Sequence, residues 1–237
     1  MCVLRDGSMA NLVLALIFFV LTHSVPALPS IKGRLVSRLG RTTYMVLYSI
    51  LSLAGVLWIF YAFMEADDVA LWMDRAWQAW LTLVLVPIGL YLVVCGLISP
   101  NPYSVTFRSR REPGAIVSIT RHPVLWGFFL WAFGHIFPNG EMRGVILFGG
   151  FSLFSLVGMA ILDRRSRKTI DVAGPELGAA TSVLPFAAIL SGRARLRLDR
   201  DMAIALVLTA AGTFALLFAF HEVLFGVDPL LLALYGV

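Results

Sequence analysis

Charged residues are scarce in this chain of 237 residues. Only 14% are Asp, Glu, Lys or Arg, whereas 59% are hydrophobic, and the mean hydropathy is +0.86. Soluble domains carry about 25% charged residues, so the composition excludes an ordinary water-soluble enzyme or binding module. It predicts an integral membrane protein with the lipid bilayer as its first partner.

Cysteine is also rare, since the chain holds only Cys2 and Cys95. One lies near the N-terminus and the other inside an apolar stretch. Two cysteines so placed exclude a disulfide framework and a cysteine metal site. Internal repeats and low-complexity linkers are lacking as well, so we predict a single transmembrane domain.

The apolar residues are gathered into six long stretches. A membrane helix needs about 17 to 25 predominantly apolar residues, and we therefore predict an all-α, polytopic bundle of six transmembrane helices. Their predicted positions are about 10–28, 43–64, 77–98, 123–138, 144–162 and 202–222. Thr181–Leu190 is too short to span and is interpreted as interfacial or re-entrant. Because Met9 opens the first run, we expect residues 1–8 to be a start-site extension and 9–237 to form the domain.

The basic residues alternate by loop rather than forming one folded patch. All but three of the 19 lysines and arginines follow the first, third and fifth predicted helices. The positive-inside rule then makes these loops cytoplasmic, 163–201 being the largest, and leaves both termini outside. We predict a multi-pass protein of the bacterial cytoplasmic (inner) membrane, without a nucleic-acid partner despite a pI near 9.6.

All four histidines lie on apolar segments: His23, His122, His135 and His221. An ionisable group within a membrane segment is by default a functional-site hypothesis. Structural hydrogen bonding is an equal alternative, and it is the stronger one for His122, which precedes a proline where a helix starts. Two inward histidines on different helices can hold a haem through both axial positions. His122 and His135 are about 19 Å apart along one helix and cannot share a metal. The partner of His135 must therefore be His23 or His221.

Two helix faces add to this pattern. Phe128, Trp131 and His135 share a face of the fourth helix, beside Gly127 and Gly134, where we expect a flat ligand to approach the backbone. In the second helix, a polar stripe recurs at three- or four-residue steps and should face the bundle. This stripe consists of Tyr44, Tyr48, Ser52 and Gly55. It is interpreted equally as ligand-lining or as helix packing.

A series of motifs along nearly the whole chain resembles the NnrU family. The matching segments are His23-Ser24-x-Pro26, Arg41-x-x-Tyr44-x-x-x-Tyr48-Ser49, RHPVLWGFFLWAFGH with Pro138-Asn139-Gly140, LFGGF at 147–151, Asp163-Arg164-Arg165, Thr181-Ser182-x-x-Pro185-Phe186, and His221-x-x-x-Phe225-Gly226-Val227-x-Pro229. The resemblance implies a role in denitrification and nitric oxide metabolism. It equally implies chemistry like that of the 15-cis-zeta-carotene isomerases of plants and cyanobacteria, which are related to the family.

That resemblance implies haem b as cofactor and an apolar polyene as substrate. By resemblance, the two metal ligands are His23 and His135. The isomerases carry an alternative thiol ligand three residues before the second histidine, where this chain has Ala132, so ligand exchange through cysteine is not expected here. Arg41, Arg121 and Tyr48 are candidates to pair the propionates or order the site.

Other histidine pairs stay open on grounds of depth. The charge rule puts His23 on the cytoplasmic side of the membrane midplane and His135 on the outer side. Two axial ligands of one haem need nearly the same depth. Depth alone favours His23 with His122, or His135 with His221. Helix tilt can close the gap for His23 and His135, which we retain as the predicted pair.

Two further functions compete with haem binding. Arg121-His122-Pro123 followed by Gly127 also resembles the membrane methyltransferases of the isoprenylcysteine carboxyl methyltransferase type, where this motif helps hold S-adenosylmethionine. The paired glutamates of that family are missing, with Asp163 and a lone Glu176 in their region. The third hypothesis is a non-catalytic assembly factor with a respiratory or denitrification enzyme as partner.

Overall fold

The computed structural model describes residues 7–25, 28–108, 112–173, 178 and 180–235, and within these ranges the chain is helical without strands. Most of the predicted extension 1–8 lies outside them. The helices are α1 Gly7–Ser24, α2 Pro29–Leu39, α3 Arg41–Glu65, α4 Ala76–Ile98, α5 Ile116–Ile119, α6 Pro123–Ile136, α7 Met142–Ala173, α8 Ala187–Leu190, α9 Arg200–Ala215, a π-helical segment Leu216–Phe220, α10 His221–Phe225 and α11 Pro229–Tyr235. The all-α prediction is confirmed.

Four helices are long and apolar enough to cross a membrane. They are Arg41–Glu65, Ala76–Ile98, Met142–Arg167 and Arg200–Phe225. Two shorter apolar helices, Met9–Ser24 and Pro123–Ile136, occupy the places of the first and fourth predicted spans. The chain is therefore a polytopic membrane protein, while the count of six and the orientation of the termini stay predictions.

Two elements differ from the sequence expectation. The stretch after α1 is not only a basic loop, because residues 29–39 form the separate helix α2, which starts with Pro29 in its first turn, where proline is tolerated. At the other end, α7 continues as helix to Ala173, about three turns into the segment 163–201 that was predicted as loop. Each difference adds helix carrying basic residues next to an apolar span.

The structure divides into two compact units, the first formed by residues 1–73 and 140–150. Its main packing joins α1 to α3: the Trp58 indole donates a hydrogen bond to Asn11 (3.1 Å), and the Phe18 ring lies 3.3 Å from where a Gly55 Cβ would be. The polar stripe of α3 thus faces α1 at Gly55, as predicted. Small size at this position permits the close approach of an aromatic ring.

The second unit comprises residues 74–139 and 151–237, and its closest packing joins α4 to α6. A Cβ placed on Gly127 would overlap the Gly89 carbonyl oxygen and lie 2.9 Å from the Val93 amide nitrogen. The Gly134 position faces Leu85 of α4. These glycines therefore allow two backbones to approach. The expectation that a flat ligand lies against Gly127 and Gly134 is wrong, since α4 fills that space.

Gly127→Ala is expected to destabilise the protein by about 1–3 kcal/mol, because the added methyl group meets backbone atoms that cannot rotate away. Gly149→Ala is the matched control, since nothing lies within 4 Å of its Cβ position and alanine favours helix. Thermal unfolding in detergent, followed by tryptophan fluorescence, would measure both. Equal midpoints for the two variants would contradict this packing.

Candidate functional site

His23 lies in the last turn of α1, in the first unit. Its Nδ1 donates a hydrogen bond to the Phe19 carbonyl oxygen (2.9 Å), and its ring stacks on the Phe19 ring at 3.8 Å between centroids. The Tyr48 ring of α3 approaches edge-on at 5.9 Å. Because a carbonyl oxygen only accepts, Nδ1 carries the proton and the lone pair resides on Nε2.

The polar stripe of α3 continues from this ring. Tyr44 is 5% exposed and its ring lies 6.1 Å from that of Tyr48. Within the part of the chain that the structure describes, the buried hydroxyls of Tyr44 and Ser52 have no hydrogen-bond partner. Buried polar atoms are nearly always paired, so these two hydroxyls mark a place where a polar atom of a ligand or a water fits. Arg41, which begins α3, is exposed.

His135 lies in the last turn of α6, in the second unit. Its Nδ1 donates to the Trp131 carbonyl oxygen (2.8 Å), and the Trp131 ring lies 5.4 Å away. The next turn is closed by Asn139, whose amide donates to the His135 carbonyl oxygen (2.7 Å). The lone pair of this ring therefore also resides on Nε2.

His221 follows the π-helical segment at the end of the last long span. Its Nδ1 donates to the Val227 carbonyl oxygen (2.7 Å), and it lies near enough to His135 for the two rings to interact electrostatically. The elements beside these histidines contact α4: Thr82 donates to the Gly134 carbonyl oxygen, and Ala79 packs against α11. The structure thus places His135 and His221 within electrostatic range of each other.

A buried charged cluster lies at the opposite end of α6. Arg121 forms an ion pair with Asp163 of α7, and the two side chains are only 11% and 12% exposed. Arg167 pairs with the second oxygen of the same carboxylate at 3.3 Å, and Arg121 also donates to the Thr181 carbonyl oxygen. The charge of Arg121 is therefore already matched within the protein, which favours a structural role over the predicted contact with a propionate or with S-adenosylmethionine.

Sequence reasoning missed Asp163 as a member of this cluster because 42 residues separate it from Arg121. The available signal was its position as a single acidic residue directly after a long apolar run. An acid at the end of a membrane helix that is buried, rather than solvated, needs a cationic partner. Arg121 is that partner.

The segment that was interpreted as interfacial or re-entrant packs against the start of α6. The Ser182 carbonyl oxygen accepts from the Arg121 amide (2.7 Å), and the Val183 carbonyl oxygen accepts from both the Thr120 hydroxyl and the Trp126 indole (2.8 Å each). Its non-helical backbone is thereby satisfied by α6 and the residues before it, which is how irregular chain is accommodated close to a membrane.

His122 is completely buried at the N-terminal boundary of α6. The Asp163 carboxylate lies 3.9 Å from its Nε2, and neither ring nitrogen makes a hydrogen bond to any described residue. Burial lowers the pKa of His122 from 6.5 to about 4, with Asp163 opposing and Arg121 reinforcing that shift. The ring is neutral at pH 7.

The stability of the protein is expected to fall as the pH is lowered from about 6.5 to about 4. In this window the unfolded chain protonates His122 while the folded protein excludes the proton, so unfolding is favoured. In His122→Asn this contribution is removed, and the dependence of the thermal midpoint on pH should become shallower. Parallel curves for wild type and variant would exclude His122 as the source.

The helices and these polar clusters together define a polytopic, all-helical membrane protein with histidines ordered by backbone carbonyl oxygens. The chain belongs to the NnrU family: a family profile described as "NnrU protein" matches residues 11–229. This confirms the family that the sequence motifs indicated.

The chain is similar to a curated plant protein, the "15-cis-zeta-carotene isomerase, chloroplastic" of Zea mays. The two are 28% identical over 201 residues, which covers 82% of this chain and 54% of the maize protein. This chain thus spans about half the length of that relative. No solved structure matches it.

Proposed function

We propose that this protein binds haem b within the membrane, with the imidazoles of His23 and His135 as axial ligands. The observation that carries the proposal is that both rings make the same type of hydrogen bond. In each residue, Nδ1 donates to the backbone carbonyl oxygen four residues earlier. Metal-ligating histidines almost always donate their second ring nitrogen in this way, which orients the ring and raises the basicity of the ligating nitrogen. Nε2 is then the ligating atom of both residues.

The existing contacts of the candidate arginines indicate which of them could pair with a haem propionate. Arg121 does not suit a propionate, because Asp163 already neutralises it. Arg41 suits one better, since it is an exposed cation at the end of α3 that carries Tyr44 and Tyr48. The orphan hydroxyl of Tyr44 offers a hydrogen bond at the same end.

His221 is the second candidate partner for His135. It has the same kind of Nδ1–carbonyl hydrogen bond, and it lies within electrostatic range of His135. The two proposed pairs share His135 and differ only in the second ligand. Single substitutions of His23 and His221 therefore separate them.

An apolar polyene is the proposed substrate class, and cis–trans isomerisation of one of its double bonds is the proposed reaction. The support is the similarity to the maize protein, whose printed name states that activity. A bound haem supplies iron-centred redox chemistry. Ala132, which is fully buried three residues before His135, supplies no thiol, so no cysteine at this position is available to a bound haem.

Haem binding and isomerisation are tested separately. The protein is expressed with haem supplementation and purified in detergent, and its pyridine haemochrome spectrum should report haem b in equal amount to the polypeptide. The reduced holoprotein is then incubated with a 15-cis polyene, and the isomers are separated by chromatography. Absence of a haem spectrum would reject the cofactor, whereas a haem protein that leaves the polyene unchanged would reject only the reaction.

A further inference from the structure

The helix α2 has an amphipathic surface that the proposed function does not use. Ile31, Leu35 and Leu39 recur every four residues and share one face. Ile31 and Leu39 are 39% and 42% exposed, and Leu35 between them is half-buried. With 11 residues, α2 is too short to span a membrane, and its apolar face needs another apolar environment.

Cations line both edges of this apolar stripe. From the 3.6-residue period, Arg34 and Arg38 lie along one edge and Lys32 along the other. All three are exposed. The side of α2 away from the stripe carries the small residues Ser30, Gly33 and Ser37, and Val36 lies between them and Lys32. This is the arrangement of a helix that lies in the plane of a membrane interface, with long cationic side chains reaching up to the headgroups.

The acidic residues that the structure describes form no ion pair with these cations. Residues 7–64 contain no Asp or Glu. Among the residues that the structure describes, ion pairs are made by Arg108, Arg121, Arg143 and Arg167 and by none of the cations of α2. None of the described acidic residues therefore supplies their counter-charge.

We propose that α2 binds anionic phospholipid: its apolar stripe enters the acyl region while Lys32, Arg34 and Arg38 contact headgroup phosphates. Charge complementarity selects this occupant, because a neutral bilayer would satisfy the stripe and leave the three cations unmatched. The helix α2 contacts α3 and joins it through Gly40 (φ 77°). Lipid bound to α2 therefore also stabilises the position of the segment that connects α1 to α3. The inference is independent of haem.

Spin labels along α2 of the full-length protein test its depth. Ile31→Cys, Gly33→Cys, Ser37→Cys and Leu39→Cys are made in a Cys2→Ser background, where the remaining Cys95 is completely buried. The protein is placed in vesicles of phosphatidylcholine with phosphatidylglycerol. Labels at 31 and 39 should be accessible to oxygen, and labels at 33 and 37 to a water-soluble nickel complex. Uniform access of the nickel complex, or equal protection of all four labels, would overturn the proposal.

A charge-matched pair of variants tests the headgroup specificity. Lys32→Gln/Arg34→Gln/Arg38→Gln is expected to weaken phosphatidylglycerol binding by about ten-fold or more, measured by native mass spectrometry of the detergent-purified protein. Arg193→Gln/Arg195→Gln/Arg197→Gln removes the same charge from a non-helical segment and should retain most of the affinity. Equal losses in both variants would show that overall charge, rather than α2, attracts the lipid, and would overturn the proposal.

Discussion

His135→Ala, purified from haem-supplemented cells, is expected to lose the Soret absorption of the wild type. The reason is that His135 is common to both proposed ligand pairs, and alanine offers no lone pair to iron. Even loss of an outer-shell hydrogen-bond partner weakens a metal site by about 10- to 100-fold, so loss of the ligand itself should reduce haem content at least as much. The ratio of haem to polypeptide, from the haemochrome assay, measures the effect.

Three companion variants identify the second ligand and separate a missing ligand from a damaged fold. His23→Ala should lose the Soret band as well, while His221→Ala should keep it; the reverse pattern would assign His221 as the second ligand. His122→Asn alters a buried histidine at the opposite end of α6 and should retain haem. Normal haem content in His135→Ala would contradict both pairs.

Asp163→Ala is expected to destabilise the protein by about 3–5 kcal/mol, because it leaves the Arg121 guanidinium buried without its counter-ion. The same carboxylate also pairs with Arg167 and lies beside His122. The loss of stability should therefore extend to the start of α6 and to the segment after Thr181 that packs against it. Unfolding in a detergent titration, followed by tryptophan fluorescence, gives the free-energy difference.

The control for this substitution is Asp201→Asn at a more exposed pair. Arg108 and Asp201 are 44% and 20% exposed, and such surface pairs contribute about 0–1 kcal/mol. A double variant, Arg121→Met/Asp163→Ala, removes the orphaned charge and should recover part of the stability lost in the single variant. Equal losses for Asp163→Ala and Asp201→Asn would show that the buried pair has no special role.

The helical spans were predictable because a helix that crosses the hydrocarbon core needs a long run of apolar residues, which the mean hydropathy detects. The predicted second and third spans, 43–64 and 77–98, correspond closely to Arg41–Glu65 and Ala76–Ile98, since the apolar run and the helix end at the same polar residues. The helix α2 was missed because its apolar residues are spaced for one face and raise the mean hydropathy little. Periodicity, rather than hydropathy, was the signal for it.

The candidate site was less predictable because sequence spacing does not tell which neighbour fills a helix face. Gly127 and Gly134 suggested room for a ligand, but α4 occupies that room through Gly89 and Leu85. Likewise, Arg121 suggested an anion site, but the anion is Asp163 of the chain itself. Both observations depend on tertiary contacts between residues far apart in sequence.

The proposed haem site requires that two neutral imidazoles of this protein ligate one iron. Electron paramagnetic resonance of the oxidised, purified wild-type protein tests it most directly, because the spin state reports the axial ligands. A low-spin ferric spectrum typical of two imidazole ligands is predicted. A high-spin ferric spectrum, or protein that contains no haem after supplementation, would contradict the account.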